Sequence, residues 1–366
     1  MMNPDFQRLM NEATRLTRSG DLAAASSAIR AALGHALPGT GAASGGGRPP
    51  ASADAGCLVI DVEARERPDR EAPAAPAPVR TPARPGGEFV AGSHTSAGGS
   101  REYKLFIPPQ AGARPLPLVV MLHGCTQDPD DFAAGTGMNE AALAEGFFVL
   151  YPAQCARANP QRCWNWFKHS HQQRHRGEPA LLAELTRDII ARHPIDAQRV
   201  YVAGLSAGGA MAAILGNTYP DLYAAVGVHS GLAPGSATDL PSALAAMKSG
   251  RGGDGGAATG MPTIVFHGDA DATVHPGNAE QIVAAVAGPT AAVECQQVQG
   301  HHARRCTRHL HRAADGSVIA ERWVVHGSPH AWSGGSAKGS YTDGRGPNAT
   351  AEMIRFFLER KHRGAS

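Results

Sequence analysis

The stretch VYVAGLSAGGAMAAIL, residues 200–215, decides the fold class of this 366-residue chain. A short apolar run, VYVA, passes through a glycine-rich turn into GGAMAAIL, a run of small residues typical of a buried helix. Ser206 lies in the turn, with Gly204 and Gly208 two positions away on either side. A serine exposed on a tight strand-to-helix turn needs small neighbours, because the backbone there approaches adjacent elements closely. The stretch therefore predicts either a nucleophilic serine or an ordinary glycine turn.

The chain from about residue 99 onward repeats this alternation of strands and helices. Short β-branched runs such as LPLVVMLHG, GFFVLYPA and MPTIVFHGDAD alternate with helical runs such as ALLAELTRDIIARHP and NAEQIVAAVAG. This alternation predicts an α/β domain over residues 99–366, built on a doubly wound, mostly parallel sheet that is covered on both faces. In such sheets the reactive groups gather at the carboxyl ends of the strands.

A serine nucleophile on such a turn requires an acid and then a histidine, each after a later strand. Asp269 and Asp271 both follow the strand MPTIVFHG, and the spacing from the preceding His-Gly pair favours Asp271, which leaves Asp269 to cap the turn. In ERWVVHGSPHAWSGG, His326 lies near the strand end, whereas His330 lies in the loop beyond it and can fold over the serine. We therefore predict that Ser206, Asp271 and His330 are the catalytic residues.

The turn after an earlier strand, MLHGCTQ at residues 121–127, predicts an oxyanion hole. A tetrahedral intermediate needs preorganised donors, which usually come from the residue after the nucleophile and from a turn of this kind. We predict the backbone N–H groups of Ala207 and Cys125. A nucleophilic role for Cys125 itself is disfavoured, because no histidine pattern is built around it.

Five segments follow one another in the order found in a known family. They are LHGCTQDPDDFAAGTGMNEAALAEGFFVLYPAQ, RCWNWF, VYVAGLSAGGAMA, FHGDADATVHP and PHAWSGG. Together they resemble the poly(3-hydroxybutyrate) depolymerase family of α/β-hydrolase esterases, over about residues 101–360. The resemblance implies the same triad and oxyanion donors, and hydrolysis of 3-hydroxyalkanoate esters through an acyl-enzyme without metal or organic cofactor. Related esterases of similar core sequence act on cell-wall sugars, so a general carboxylesterase or a feruloyl or acetylxylan esterase is the alternative function.

The chain before this domain divides into two regions. Residues 1–34 carry two runs with helical periodicity that meet at Gly20 and Asp21, which predicts a helical hairpin. Residues 35–98 are rich in Ala, Gly and Pro, which predicts a flexible, disordered linker. The N-terminus lacks the pattern of a secretory signal, so we expect a cytoplasmic enzyme similar to the intracellular depolymerases. The hairpin would then help attachment to the surface of polyester granules.

Aromatic residues near the motifs suggest a wall for a polyester segment. Trp164 and Asn165 in RCWNWF, and Trp332 two positions after the predicted base, are the candidate substrate-binding residues. The tryptophans would line an apolar pocket, and Asn165 would hydrogen-bond its own loop or an ester oxygen. A place in the hydrophobic core is the alternative for both tryptophans.

Composition argues against several other classes of protein. The formal net charge is +2, and the sequence shows neither a nucleic-acid-binding module nor an apolar run long enough to span a membrane. We therefore expect no nucleic-acid partner and no transmembrane segment, and the sequence leaves the oligomeric state open. The histidine-rich runs HSHQQRHRGE and HHARRCTRHLHR lack the ligand spacing of a zinc site and predict solvated basic loops.

The six cysteines offer two short loops that a disulfide could close. In an oxidising compartment these would pair Cys155 with Cys163 and Cys295 with Cys306, whereas Cys125 has no obvious partner. Because cytosolic thiols are normally kept reduced, we expect free thiols.

Overall fold

A computed structural model describes residues 86–96, 98–250, 258–288, 291–298 and 304–362. The strands are β1 (Glu88–Ser96), β2 (Gly99–Ile107), β3 (Leu116–Leu122), β4 (Phe148–Pro152), β5 (Ile195–Leu205), β6 (Ala225–His229), β7 (Thr263–Gly268), β8 (Ala292–Val298), β9 (Cys306–Arg312), β10 (Val318–Val325), β11 (Trp332–Ser333) and β12 (Thr342–Asp343). The helices are α1 (Pro129–Thr136), α2 (Met138–Glu145), α3 (Gly177–Arg192), α4 (Ala207–Thr218), α5 (Leu240–Ser249), α6 (Gly277–Ala287) and α7 (Ala349–Leu358). The predicted hairpin over residues 1–34 and most of the predicted linker lie outside the described residues.

The main sheet has the strand order β1-β2-β4-β3-β5-β6-β7-β10-β9-β8. Its six central strands, from β4 to β10 in this order, run parallel. Antiparallel strands extend it at both ends, β1 and β2 at one edge and β9 and β8 at the other. This arrangement confirms the predicted doubly wound, mostly parallel sheet. It also brings the carboxyl ends of β3, β5, β6, β7 and β10 to one edge, where the functional residues are expected.

Apolar layers cover both faces of the sheet, and β3 shows why its sequence reads as an unbroken apolar run. All seven residues of β3 are buried. Leu118, Val120 and Leu122 point into one layer, and Val119 and Met121 point into the other. Strands that are buried on both faces lose the alternation of a half-exposed strand and become continuously hydrophobic.

The strand β1 lies within the predicted linker of residues 35–98 and corrects its boundary. Glu88–Ser96 pairs along its whole length with β2, from Glu88 opposite Ile107 to Ser96 opposite Gly99. The ring of Phe89 packs against Tyr151. The composition of residues 35–98 is dominated by the Pro- and Gly-rich residues before β1, so it gives no indication of so short a strand. An edge strand also gains most of its stability from its partner, which the sequence of the segment does not contain.

Parts of the two histidine-rich runs are ordered elements and not the solvated loops expected. In the second run, Cys306–Arg312 forms β9, with Cys306 and Leu310 buried. In the first run, Glu178 is buried at the start of α3. Both corrections arise because the burial of these residues depends on neighbouring strands and loops. Among the described residues, no helix has the length and hydropathy needed to cross a membrane.

Candidate active site

The turn that carries Ser206 is formed by close backbone packing. β5 ends at Leu205, α4 begins at Ala207, and Ser206 lies between them. The φ of Ser206 is 57°, a value that residues other than glycine rarely adopt. A Cβ atom on Gly204 would lie 2.4 Å from the backbone of Gly208, and a Cβ on Gly208 would lie 2.0 Å from the carbonyl oxygen of Leu122. Glycine is therefore required at both positions. The contact also places the end of β3 directly beside Ser206.

Asp271 and His330 meet at the same edge of the sheet. His330 Nδ1 donates to Asp271 Oδ2 at 2.7 Å, and the backbone N–H groups of Thr273 and Val274 donate to Asp271 Oδ1 at 2.9 and 2.8 Å. Burial favours a higher pKa for Asp271, but the nearby His267 ring and the hydrogen bond with His330 outweigh it and hold the pKa well below its usual range. The carboxylate is thus ionised and fixes the imidazole with its Nε2 free to accept a proton.

The alternative residues of the sequence analysis form a separate pair. His326 Nδ1 donates to Asp269 Oδ2 at 2.8 Å, and Asp269 Oδ1 accepts the backbone N–H of Gly327 at 2.6 Å. These bonds join the turn after β7 to the loop after β10. Asp269 and His326 therefore hold the loop of His330 in place, which agrees with the turn-capping role considered for Asp269.

His229, which the sequence analysis did not single out, connects the nucleophile turn to the histidine loop. Its carbonyl oxygen accepts the N–H of Ser206 at 2.9 Å, and its ring Nε2 accepts the N–H of Ser333 at 2.9 Å. Burial lowers the pKa of His229 well below its ordinary value, so the ring is neutral and can accept this bond. Ser206 Oγ makes no hydrogen bond to His330 in the described chain, as is common before substrate binds.

The β3 turn, residues 123–127, lies where the sequence places an oxyanion hole. Gly124 N–H donates to Gln127 Oε1 at 2.9 Å, so Gln127 shapes the turn. Ala207 is the first residue of α4, and its N–H has no acceptor within the helix. Cys125 is disulfide-bonded to Cys163, which corrects the expectation of free thiols and of no partner for Cys125. Spacing along the chain favoured Cys155 as the partner of Cys163, whereas the fold brings the two loops together.

The three predicted substrate-binding residues are buried. Trp164 is 0% exposed, and its Nε1–H donates to His123 O at 3.0 Å. Trp332 is 1% exposed and donates to Thr350 Oγ1 at 3.0 Å. Asn165 is 3% exposed, and its side-chain amide donates to a buried carboxylate. The two tryptophans therefore lie in the hydrophobic core, the alternative given for them, because no indole surface is open to a substrate. Asn165 hydrogen-bonds to protein groups around its own loop, which is one of the two roles considered for it.

A serine on a strand-to-helix turn after β5, an acid after β7 and a histidine after β10 define the α/β-hydrolase class. A solved structure of the same fold is the acetyl xylan esterase from Aspergillus awamori, with a TM-score of 0.58 and 18% sequence identity. The match covers 74% of this chain and 99% of that chain. Among the described residues, no group of histidine, cysteine or acidic side chains has the arrangement of a metal site.

Sequence comparison gives the family within this class. The family model of esterase PHB depolymerases matches residues 101–288, and the chain belongs to this family. Poly(3-hydroxyalkanoate) depolymerase C of Paucimonas lemoignei is 31% identical over 230 residues, covering 58% of this chain and 54% of that protein. Poly(3-hydroxybutyrate) depolymerase of Ralstonia pickettii is 35% identical over 129 residues, covering 33% and 26%. Feruloyl esterase B of Thermothelomyces thermophilus is 31% identical over 140 residues, covering 38% and 47%. The chain thus spans about half or less of the length of these curated relatives.

Proposed function

We propose that this protein is a serine esterase in which Ser206 is the nucleophile, His330 the general base and Asp271 the residue that orients it. The observation that carries the proposal is the contact of His330 Nδ1 with an ionised Asp271, on the edge of the sheet where the strained turn places the half-buried Ser206. This arrangement leaves Nε2 as the only ring nitrogen able to take the serine proton.

The reaction proceeds in two half-reactions on the same residues. His330 takes the proton of Ser206 Oγ as the oxygen attacks the ester carbonyl, and the backbone N–H groups of Cys125 and Ala207 stabilise the oxyanion. The intermediate collapses to an acyl-enzyme, and the alcohol leaves with the proton from His330. Water then attacks the acyl-enzyme by the same route and releases the acid. No cofactor takes part in any of these steps.

We propose 3-hydroxyalkanoate polyester, such as poly(3-hydroxybutyrate) or its oligomers, as the substrate. The family of the chain and the names of its Paucimonas and Ralstonia relatives support this choice. The alternative is a feruloyl or acetylxylan type of esterase acting on small or cell-wall esters, which the Thermothelomyces relative favours.

The test compares the wild-type protein with Ser206→Ala on amorphous poly(3-hydroxybutyrate) granules and on a short p-nitrophenyl ester. We expect the wild type to release 3-hydroxybutyrate and the variant to release none. Hydrolysis of the small ester alone would transfer the substrate assignment to the alternative, and feruloyl and acetylxylan substrates would then be measured. Equal activity of wild type and variant would refute Ser206 as the nucleophile.

We propose a cytoplasmic, granule-associated location for this protein. A bond between Cys125 and Cys163 is more typical of oxidising compartments and argues against this location. Cell fractionation, with thiol labelling of the isolated protein, decides between them. Removal of residues 1–85, which leaves β1 intact, tests whether the N-terminal region contributes to granule binding.

A further inference from the structure

The β3 turn is held by a second loop, residues 161–165, which we call the supporting loop. Three contacts join the two: Thr126 N–H donates to Gln161 O at 2.7 Å, Cys125 is bonded to Cys163, and Trp164 Nε1–H donates to His123 O at 3.0 Å. The predicted oxyanion donor, the N–H of Cys125, lies in the middle of these contacts. Its position therefore depends on the position of the supporting loop.

The supporting loop is in turn fixed by one buried carboxylate, Glu178 in the first turn of α3. Glu178 is 5% exposed. Its Oε2 accepts the backbone N–H of Asn165 at 2.7 Å, and its Oε1 accepts the side-chain amide of Asn165 at 2.9 Å. Gln154 Nε2 also donates to Oε1, at 2.5 Å, and Arg101 Nη2 lies 3.9 Å away. Two donors of one residue thus meet two oxygens of one carboxylate.

The charge state of Glu178 matches this role. Burial favours a higher pKa for Glu178, but the His171 ring 3.6 Å away and the hydrogen bonds from Gln154 and Asn165 outweigh it, so the pKa lies below its usual value. An ionised carboxylate accepts from both donors of Asn165 with two unprotonated oxygens, whereas protonation would turn one of these oxygens into an O–H donor and weaken it as an acceptor. A buried charge pair is costly and adds little net stability compared with apolar packing. We therefore attribute the buried Glu178 to its effect on the geometry of the supporting loop.

We propose that Glu178 is a positioning residue for the oxyanion hole, acting through Asn165 and the supporting loop on the N–H of Cys125. The proposal rests on the proposed esterase function. Loss of the carboxylate should therefore weaken binding of the tetrahedral oxyanion more than binding of the ester. A residue that only stabilised the fold would not separate the two.

The test uses Glu178→Gln, with Glu321→Gln as the matched control. Glutamine has the same shape, but its NH₂ group would face a donor of Asn165. We expect kcat on a p-nitrophenyl ester to fall at least 10-fold, with KM within about twofold, since loss of a whole oxyanion donor costs about 10²–10³. Glu321 is an equally buried carboxylate, bonded to Trp323 and Arg355 and to none of the proposed site residues. Its variant should lose stability and keep kcat.

A trifluoromethyl ketone provides the second readout, because Ser206 adds to it to form a hemiketal oxyanion without turnover. We expect its inhibition constant to rise in Glu178→Gln by the factor by which kcat/KM falls. Asn165→Ala should show the same pattern. The fold-loss of kcat in the double variant should be smaller than the product of the two single fold-losses, because both residues act through the same contact. If Glu178→Gln fails to fold, Asn165→Ala and Glu178→Asp carry the test.

Two results would overturn the proposal. One is an unchanged kcat in a folded Glu178→Gln or Asn165→Ala variant; the other is an equal loss of kcat in Glu321→Gln. An inactive wild type on every ester would instead refute the esterase function on which the proposal rests. The two failures are therefore distinguishable.

Discussion

Replacement of Gly208 by alanine tests the packing that places Ser206 beside the β3 turn. The new Cβ would lie 2.0 Å from Leu122 O and 2.5 Å from His123 O, whereas ordinary contact begins at 3.4 Å. The two backbones must therefore separate by up to 1.4 Å, the difference between 3.4 and 2.0 Å. Misplacement of catalytic groups by about 1 Å costs roughly 10²-fold in rate. Overpacking of a buried site costs about 1–3 kcal/mol of unfolding free energy.

The assay measures kcat on a p-nitrophenyl ester together with urea unfolding, and Gly209→Ala is the control. A Cβ on Gly209 lies 3.0 Å from Gly204 O and 3.1 Å from His229 O, so these neighbours would have to move by only a few tenths of an ångström. We expect kcat to fall about 10²-fold in Gly208→Ala and to fall clearly less in the control, because its Cβ requires a smaller displacement. A Gly208→Ala protein with the kcat and stability of the wild type would refute the close packing of α4 on β3.

Three further changes have outcomes that the structure predicts. Asp271→Asn turns an amide donor toward His330 Nδ1, which disfavours the required tautomer, and kcat should fall about 10³–10⁴-fold with little change in KM in steady-state kinetics. Burial lowers the pKa of His123 to about 4, so below about pH 6.5 the unfolded chain binds a proton that the native chain does not. His123 should therefore contribute up to about 3 kcal/mol to the fall in the free energy of unfolding between pH 6.5 and 4, and urea titrations of His123→Gln should show a fall that is smaller by about this amount. The disulfide of Cys163 with Cys125 closes a loop with a sequence separation of 38, so Cys163→Ser should lower the unfolding free energy by about 2–4 kcal/mol, measured without reductant.

The sequence was sufficient for features that each segment encodes by itself. The continuous apolar runs predicted the parallel strands, and the glycines around Ser206 predicted a turn whose backbone contacts the structure describes. The spacing from the preceding His-Gly pair favoured Asp271 over Asp269, and His330 lies against Asp271 in the structure.

The sequence was insufficient where the role of a residue depends on a distant segment. β1 pairs with β2, and Cys125 pairs with Cys163 across a separation of 38 residues. Neither partner can be read from local composition. Trp164 and Trp332 illustrate the same limit. The sequence does not distinguish a tryptophan in the core from one that lines a pocket, because the difference depends on its neighbours in the fold. Glu178 gave no signal, since a glutamate in a histidine-rich run is usually solvated.

His229 contacts the nucleophile turn through its carbonyl oxygen and the histidine loop through its ring. One residue therefore sets the spacing between these two segments. An esterase that forms and then hydrolyses an acyl intermediate uses this spacing twice, and a common anchor keeps it equal in both half-reactions.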